Sequence, residues 1–157
     1  MTGKKYLNQL LLCRNVINND VRRLDELKEL ALATGSKELK KDVVQKSLKN
    51  AGLEDTVGEY VDFELKIIEE VKHYQKLKEK ILQEIYHMDS DVKYIELLIL
   101  RYSQGQRFEE IATNMGYSFG RVTHMHIEAL EKFEKSYKEM LEEWDENRLC
   151  EFCETGK

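Results

Sequence analysis

Cysteine and histidine side chains at short spacings are the candidates for metal chemistry in this sequence. Cys150 and Cys153 form a single Cys-x-x-Cys pair, whereas a structural zinc site needs four ligands. Two reduced thiols on a frayed tail are the preferred interpretation, and zinc shared by two chains or completed by a histidine is the alternative. His124 and His126 are two positions apart and do not share a helix face, so one metal ion is not expected to bind both. Both are expected to be solvated surface residues. The sequence predicts no metal site and no cofactor.

A second kind of chemistry is indicated by residues 108–127, which have the pattern of two short helices joined by a tight turn. Gly116 can adopt the left-handed conformation that ends the first helix, and Ser118 is a good N-cap for the second. Ala112 is small where the two helices would cross. The apolar side chains predicted for their shared core are Ile111, Met115, Tyr117, Val122 and Met125.

The same pattern determines which side chains of the second helix face outward. They are Phe119, Gly120, Arg121, Thr123, His124 and Ile127. In a helix-turn-helix such residues enter the major groove, while the N-terminus of the helix, here Ser118, meets phosphate groups. The sequence therefore predicts contact with double-stranded DNA at these seven positions. A trihelical module that binds only protein is the alternative.

This segment and its flanks resemble region 4 of sigma-70-type factors. The similar residues are Leu100-Arg101-Tyr102-Ser103-Gln104-Gly105 through Phe108-Glu109-Glu110-Ile111-Ala112, then Gly116-Tyr117-Ser118 and Glu128-Ala129-Leu130. Over nearly its full length the chain resembles small phage and prophage proteins of low-GC Gram-positive bacteria, related to the RinA/ArpU type of phage transcriptional regulators. That likeness includes Asp55-Thr56-Val57-Gly58 and the leucine-rich helix that starts at Tyr6-Leu7. The resemblance implies DNA binding by the 119–131 helix and regulation of phage or prophage transcription.

The composition of the whole chain favours helices. Its 157 residues are 41% hydrophobic and 35% charged and include no proline, so an all-α protein is predicted and a turn-rich β sandwich is disfavoured. Seven-residue apolar spacing predicts long helices over 5–33 and 56–87 that pair as an antiparallel, coiled-coil-like hairpin. Gly35 is expected to end the first helix and Thr56 to begin the second. Cys13 is expected to be a small core residue.

Shorter helices are predicted to follow the hairpin. They cover residues 91–102, 107–115 and 119–143, while residues 36–55 form either a short helix or an ordered loop. The predicted domains are a helical hairpin at 1–87, a sigma-region-4-like helix-turn-helix at 88–143 and an acidic tail at 144–157.

The apolar pattern of the second long helix also predicts self-association. A second stripe, through Val61, Ile68 and Leu82, remains after the first has paired within the chain, and it favours a homodimer. Arg121 is the only strongly basic residue between positions 118 and 131. Few phosphate contacts weaken binding to DNA and reduce its salt dependence. Either a second copy or RNA polymerase supplies the missing contacts, or the affinity is modest.

The function predicted from the sequence is sequence-specific DNA binding that regulates phage or prophage transcription. No phosphate-cradling glycine loop or nucleophile elbow indicates an enzyme. The alternatives are a phage assembly protein, such as a small terminase-like DNA-packaging subunit, and a protein-only adaptor for RNA polymerase. Three cysteines, an odd number, favour a reducing cytoplasm. The lack of a long apolar run argues against a membrane span.

Overall fold

The computed structural model describes residues 2–38 and 46–143, and within them every regular element is a helix. The elements are α1 Gly3–Glu38, α2 Lys46–His87, α3 Val92–Leu98, a π-helical turn Ile99–Ser103, α4 Phe108–Met115, α5 Phe119–Ser136 and α6 Lys138–Glu143. The all-α class predicted from composition is confirmed for this part of the chain. None of these helices is both long enough and apolar enough to cross a membrane.

The two long helices extend further than the sequence predicted. α1 continues through Gly35 to Glu38, and α2 begins at Lys46 rather than at Thr56, so the predicted stop and start are wrong. A glycine inside a helix costs only about 1 kcal/mol relative to alanine. With no proline in the chain, nothing at these positions forces the helix to end. The remainder of the predicted 36–55 segment, residues 39–45, lies outside the described residues.

Residues 2–14 and 73–143 form one compact unit, called the core cluster below. In it, α3 and α4 both pack against α5. The Tyr6 ring stacks on Phe133 with 6.2 Å between ring centroids. Cys13 is buried, as predicted. The fully buried apolar side chains come from the start of α1, the end of α2 and α3 to α5, and they include Tyr6, Leu7, Leu10, Ile81, Ile85, Leu97, Ile111, Val122 and Phe133.

Two backbone irregularities in the core cluster differ from the predicted helices. The helix predicted over 91–102 is α-helical only to Leu98, after which the Gln104 N–H donates to the carbonyl of Ile99, five residues back, at 3.0 Å. The single helix predicted over 119–143 is wrong, because Tyr137 has φ −121° and ψ 30° and separates α5 from α6. This break lies where the Tyr137 hydroxyl donates to the carbonyl of Glu84 at 2.7 Å, a contact between distant segments.

Residues 15–38 and 46–72 form a second unit, called the helix pair below. Asp20 pairs with Lys66 at 3.1 Å, and the Arg23 guanidinium lies 5.2 Å from the centroid of the Phe63 ring. Because positions rise along α1 as they fall along α2, the two helices run antiparallel here. Among the side chains described in this unit, only those of Ile67 and Glu70 are buried.

An exposed row of apolar residues follows α2 in the helix pair and is called the apolar stripe below. It consists of Val57, Val61, Leu65 and Ile68, which are 44–56% exposed. Their spacings of three and four residues place them on one side of the helix. Leu82, predicted on the same stripe, is half-buried within the core cluster.

Candidate nucleic-acid interface

The turn between α4 and α5 has the backbone that its residues predict. Gly116 is left-handed, with φ 69° and ψ 30°, and the Tyr117 N–H donates to the carbonyl of Ala112 at 3.0 Å. Ser118 Oγ accepts from the backbone N–H of Arg121 at 3.3 Å, which makes Ser118 the N-cap of α5. The predictions that Gly116 ends the first helix in a left-handed conformation and that Ser118 caps the second are therefore confirmed.

The apolar contacts between α4 and α5 agree with the predicted core except at one position. Ile111, Val122 and Met125 are fully buried. Ala112 is 8% exposed, and Met115 packs half-buried against the same core. Tyr117 is 42% exposed, so its assignment to the core is wrong. Its amide closes the turn, and its side chain is partly exposed at the surface.

The predicted DNA-contacting side chains of α5 lie together on one surface, called the outward face of α5 below. Phe119 is 50% exposed and Ile127 is 56% exposed. Three further members are also exposed, namely Gly120, Arg121 and His124. Thr123 is half-buried. Ser118, at the start of the helix, is also exposed. The predicted positions therefore form one accessible surface.

The outward face of α5 divides lengthwise into two flanks. At 3.6 residues per turn, Phe119, Thr123 and Ile127 follow one side, the apolar flank. Arg121 and His124 lie on the other side with Glu128, and these three residues form the charged flank. Side-chain chemistry thus changes across the width of the helix rather than along its length.

The charged flank is fixed to α3 through Glu128. One carboxylate oxygen of Glu128 accepts a hydrogen bond from the Tyr94 hydroxyl at 2.6 Å. The other oxygen lies 3.1 Å from His124 Nδ1 and 4.0 Å from Arg121 Nη1. The hydrogen bond from Tyr94, followed by those neighbours, holds the pKa of Glu128 below its ordinary value. Glu128 is therefore an anion at neutral pH that orients the two predicted DNA-contacting groups.

Two lysines add positive charge beside the charged flank. Lys93 Nζ and Lys132 Nζ lie 4.9 Å and 4.6 Å from the centroid of the Tyr94 ring. Sequence reasoning missed Tyr94, Glu128 and both lysines. The spacing of His124 and Glu128 was a visible local signal, but the contacts of Glu128 and Lys132 with Tyr94 join residues more than thirty positions apart.

His126 lies behind the outward face and not on it. It is 7% exposed, so the prediction of a solvated surface residue is wrong. Its Nε2 is 2.9 Å from the Tyr102 hydroxyl, and its ring meets the Phe108 ring edge-on, with 5.0 Å between centroids. Burial, with smaller contributions from Arg101 and Lys4, lowers the pKa of His126 to about 4. The ring is neutral at pH 7 and connects the π-helical turn with α4 and α5.

In the part of the chain that the structure describes, no three histidine, cysteine, aspartate or glutamate side chains are grouped as metal ligands would be. Cys150 and Cys153 lie outside the described residues. Comparison of the chain with protein-family models, curated proteins and solved structures gave no match. The function is therefore inferred from the residues of the interface.

Proposed function

We propose that the protein is a sequence-specific regulator of transcription that binds double-stranded DNA through the outward face of α5. The proposal depends on one observation. The left-handed Gly116, the Ser118 cap and an accessible outward face occur together on one short segment. A helix with its side chains is about 10–12 Å wide, which fits a major groove of about 12 Å. In this proposal α3, α4 and α5 form a helix-turn-helix unit with α5 as the recognition helix.

The start of α5 is suited to phosphate contact. Amide groups in the first turn of a helix lack intrahelical partners and attract anions. A Cβ atom at Gly120 would have no neighbour within 4 Å, so the surface there is open and a DNA backbone can approach closely. Lys93 and Lys132, beside the charged flank, are further cations for this role. Arg121 is suited to a guanine edge or a phosphate.

The resemblance to sigma-70 region 4 and to RinA/ArpU-type regulators supports a phage or prophage operon as the target. It also supports RNA polymerase as a second partner. In the finer arrangement that we propose, a long antiparallel hairpin precedes the helix-turn-helix. The antiparallel contacts of Asp20 with Lys66 and of Arg23 with Phe63 support this arrangement.

DNA titration of matched arginine variants tests the proposal. The probe is a duplex selected by the wild-type protein from a random-sequence library, held at fixed salt. Arg121→Ala should weaken binding by about 1–3 kcal/mol. Arg22→Ala makes the same charge change on α1, where the guanidinium donates to Asn19 Oδ1 at 2.8 Å, and should change affinity little. Equal binding by Arg121→Ala and wild type would refute the assignment, and the lack of any salt-sensitive binding would favour the protein-only adaptor.

The regulator acts as a homodimer, and the apolar stripe on α2 is the proposed contact. Four side chains that are 44–56% exposed form a continuous apolar row of the kind that marks interaction sites. A two-fold dimer presents two recognition helices to a symmetric operator. It also doubles the number of phosphate contacts, which is small when each recognition helix carries a single arginine, Arg121.

Light scattering of glutamate variants tests the dimer. The double substitution Leu65→Glu with Ile68→Glu should give helical monomers that bind DNA more weakly. The matched control is Tyr86→Glu with Val92→Glu, because these residues are exposed by 61% and 77% but lie outside the stripe. A wild-type mass of one chain at micromolar concentration would exclude the dimer. A mass of many chains would instead favour the terminase-like alternative.

A further inference from the structure

The apolar flank of α5 exposes more hydrophobic surface than packing within its own unit explains. Phe119 and Ile127 are 50% and 56% exposed, although the same helix buries Val122, Met125 and Phe133 completely. Thr123 lies between them, and its hydroxyl donates to the carbonyl of Gly120 at 2.9 Å. Since the hydroxyl proton is already donated within the helix, Thr123 has for an external contact its methyl group and the acceptor lone pairs of its hydroxyl oxygen. The flank therefore presents mostly carbon and has no free hydrogen-bond donor on its three side chains.

In the major groove only one base offers a matching group. Thymine carries a C5-methyl, whereas the other edges there present hydrogen-bond donors and acceptors. Polar edges held against carbon would lose water without gaining a partner, which is unfavourable. An apolar flank thus favours thymine and disfavours the bases that lack a methyl group.

The length of the flank sets the number of bases that it can cover. Residues 119 and 127 are separated by about 12 Å along the helix axis, at 1.5 Å per residue. Base pairs repeat every 3.4 Å or so, so the flank spans roughly three to four of them. The charged flank, with Arg121, runs parallel to it and faces the neighbouring bases.

We propose that Phe119, Thr123 and Ile127 recognise the methyl groups of a short run of thymines, next to a base pair contacted by Arg121. This inference rests on the proposed DNA-binding function and assigns a sequence preference to the same face. The exposed flank and the internally bonded Thr123 hydroxyl together carry it.

Replacing thymine by uracil tests the inference, because uracil pairs identically but lacks the methyl group. The probes are the duplex selected from the random library and copies with each thymine in turn replaced by uracil. At contacted positions binding should weaken about fourfold per methyl removed, the fold-change that corresponds to burying one such group. Ile127→Ala and Phe119→Ala should bind thymine and uracil duplexes more equally than wild type does. His124→Ala, on the charged flank, should keep the wild-type difference.

The outcomes separate this inference from the function on which it rests. A protein that binds none of the duplexes contradicts the proposed function itself. Salt-sensitive binding with equal affinity for thymine and uracil duplexes overturns the methyl contact and leaves the function in place. Unchanged affinity of Phe119→Ala and Ile127→Ala for the selected duplex also overturns it, because the flank would then not contact the DNA. Because both side chains are exposed, circular dichroism of the variants should match wild type.

Discussion

The core cluster and the helix pair are built partly from the same two helices and differ sharply in what they bury. In the core cluster α1 and α2 meet further helices, and Leu10, Ile81 and Ile85 are fully buried. In the helix pair only Ile67 and Glu70 are buried among the described side chains. An apolar periodicity that continues along a helix therefore predicts the helix itself, but the neighbours around it decide how much is buried.

This difference indicates where the free energy of unfolding is concentrated. Burial of apolar surface is the dominant favourable term in folding, and most of the buried apolar surface described is in the core cluster. The helix pair has instead a buried carboxylate and the exposed apolar stripe. If the stripe is covered by a second copy, part of the stability of the helix pair depends on protein concentration.

The largest expected effect comes from deleting matched isoleucines of α2. Ile81, fully buried in the core cluster, and Ile67, 7% exposed in the helix pair, are the matched positions. Ile81→Ala should lower the free energy of unfolding by about 4 kcal/mol and Ile67→Ala by about 2, because a buried truncation costs more where packing is dense. Urea unfolding measures both values. Equal losses would break the comparison by showing that the helix pair is as tightly packed as the core cluster.

Acid should weaken the core cluster through His126. The pKa of His126 in the folded protein is about 4, below the ordinary value of about 6.5, so the unfolded chain takes up this proton first. Stability is therefore lost as the pH falls from about 6.5 towards 4, in total by about 3 kcal/mol. Urea unfolding at several pH values should show a smaller loss in His126→Gln. His124→Gln, whose side chain is 71% exposed in wild type, should keep the full loss, and a full loss in His126→Gln would contradict the assignment.

Alanine substitutions at two glycines should have opposite signs in the two regions. Gly116→Ala, at φ 69° in the core cluster, should cost about 1–2 kcal/mol because its conformation disfavours a Cβ atom. Gly58→Ala, inside α2 in the helix pair, should gain about 0.5–1 kcal/mol from higher helix propensity. At neither position would a Cβ atom meet a neighbour within 4 Å, so crowding is not involved. Thermal melts that show the same sign for both would mean that the turn is not fixed at Gly116.

The smallest expected effect concerns Glu70 of the helix pair. Its residue is 4% exposed, and burial raises its pKa despite Lys66 at 3.4 Å. The free-energy penalty for burying the Glu70 charge is present at neutral pH and is relieved as the pH falls through that raised pKa. Acid should therefore stabilise the protein through Glu70, whereas it destabilises the protein through His126. Glu70→Met should raise the free energy of unfolding by about 1 kcal/mol at pH 7. Lys66 would still pair with Asp20 at 3.1 Å.

A loss of stability in Glu70→Met would show that the carboxylate contributes more to pairing α1 with α2 than its burial costs. Glu69→Met, on the exposed side of the same helix turn, is the control for the change in side-chain type. It should leave the unfolding free energy nearly unchanged.

Features set by local chemistry were predicted correctly from the sequence. Gly116 ends α4 and Ser118 caps α5, and both roles depend on neighbours within one or two helical turns. The long-range contacts were not predictable in the same way. Tyr137 breaks α5 where it meets Glu84, and His126 is buried against Tyr102, and no spacing along the chain reveals either partner.

The candidate site shows the same division. Exposure of the outward face follows from helical periodicity and was predicted. The fixing of its charged flank by Tyr94 and Glu128 depends on how α3 packs against α5, which a pattern within one helix cannot show. The predicted end of α1 and the predicted start of α2 were wrong for a different reason. Glycine weakens a helix only slightly, and no proline is present to end it.

The π-helical turn at Ile99–Ser103 has an evolutionary consequence. Such a turn is equivalent to an α-helix that has acquired one extra residue. Four α-helical residues turn the chain about as far as the five residues of this turn do, so removing one residue would convert the turn into α-helix and leave the segments on either side in register. A deletion of one residue here should therefore be tolerated with little change in the rest of the core cluster. When diverged sequences are aligned with this chain, a one-residue gap belongs between positions 99 and 103.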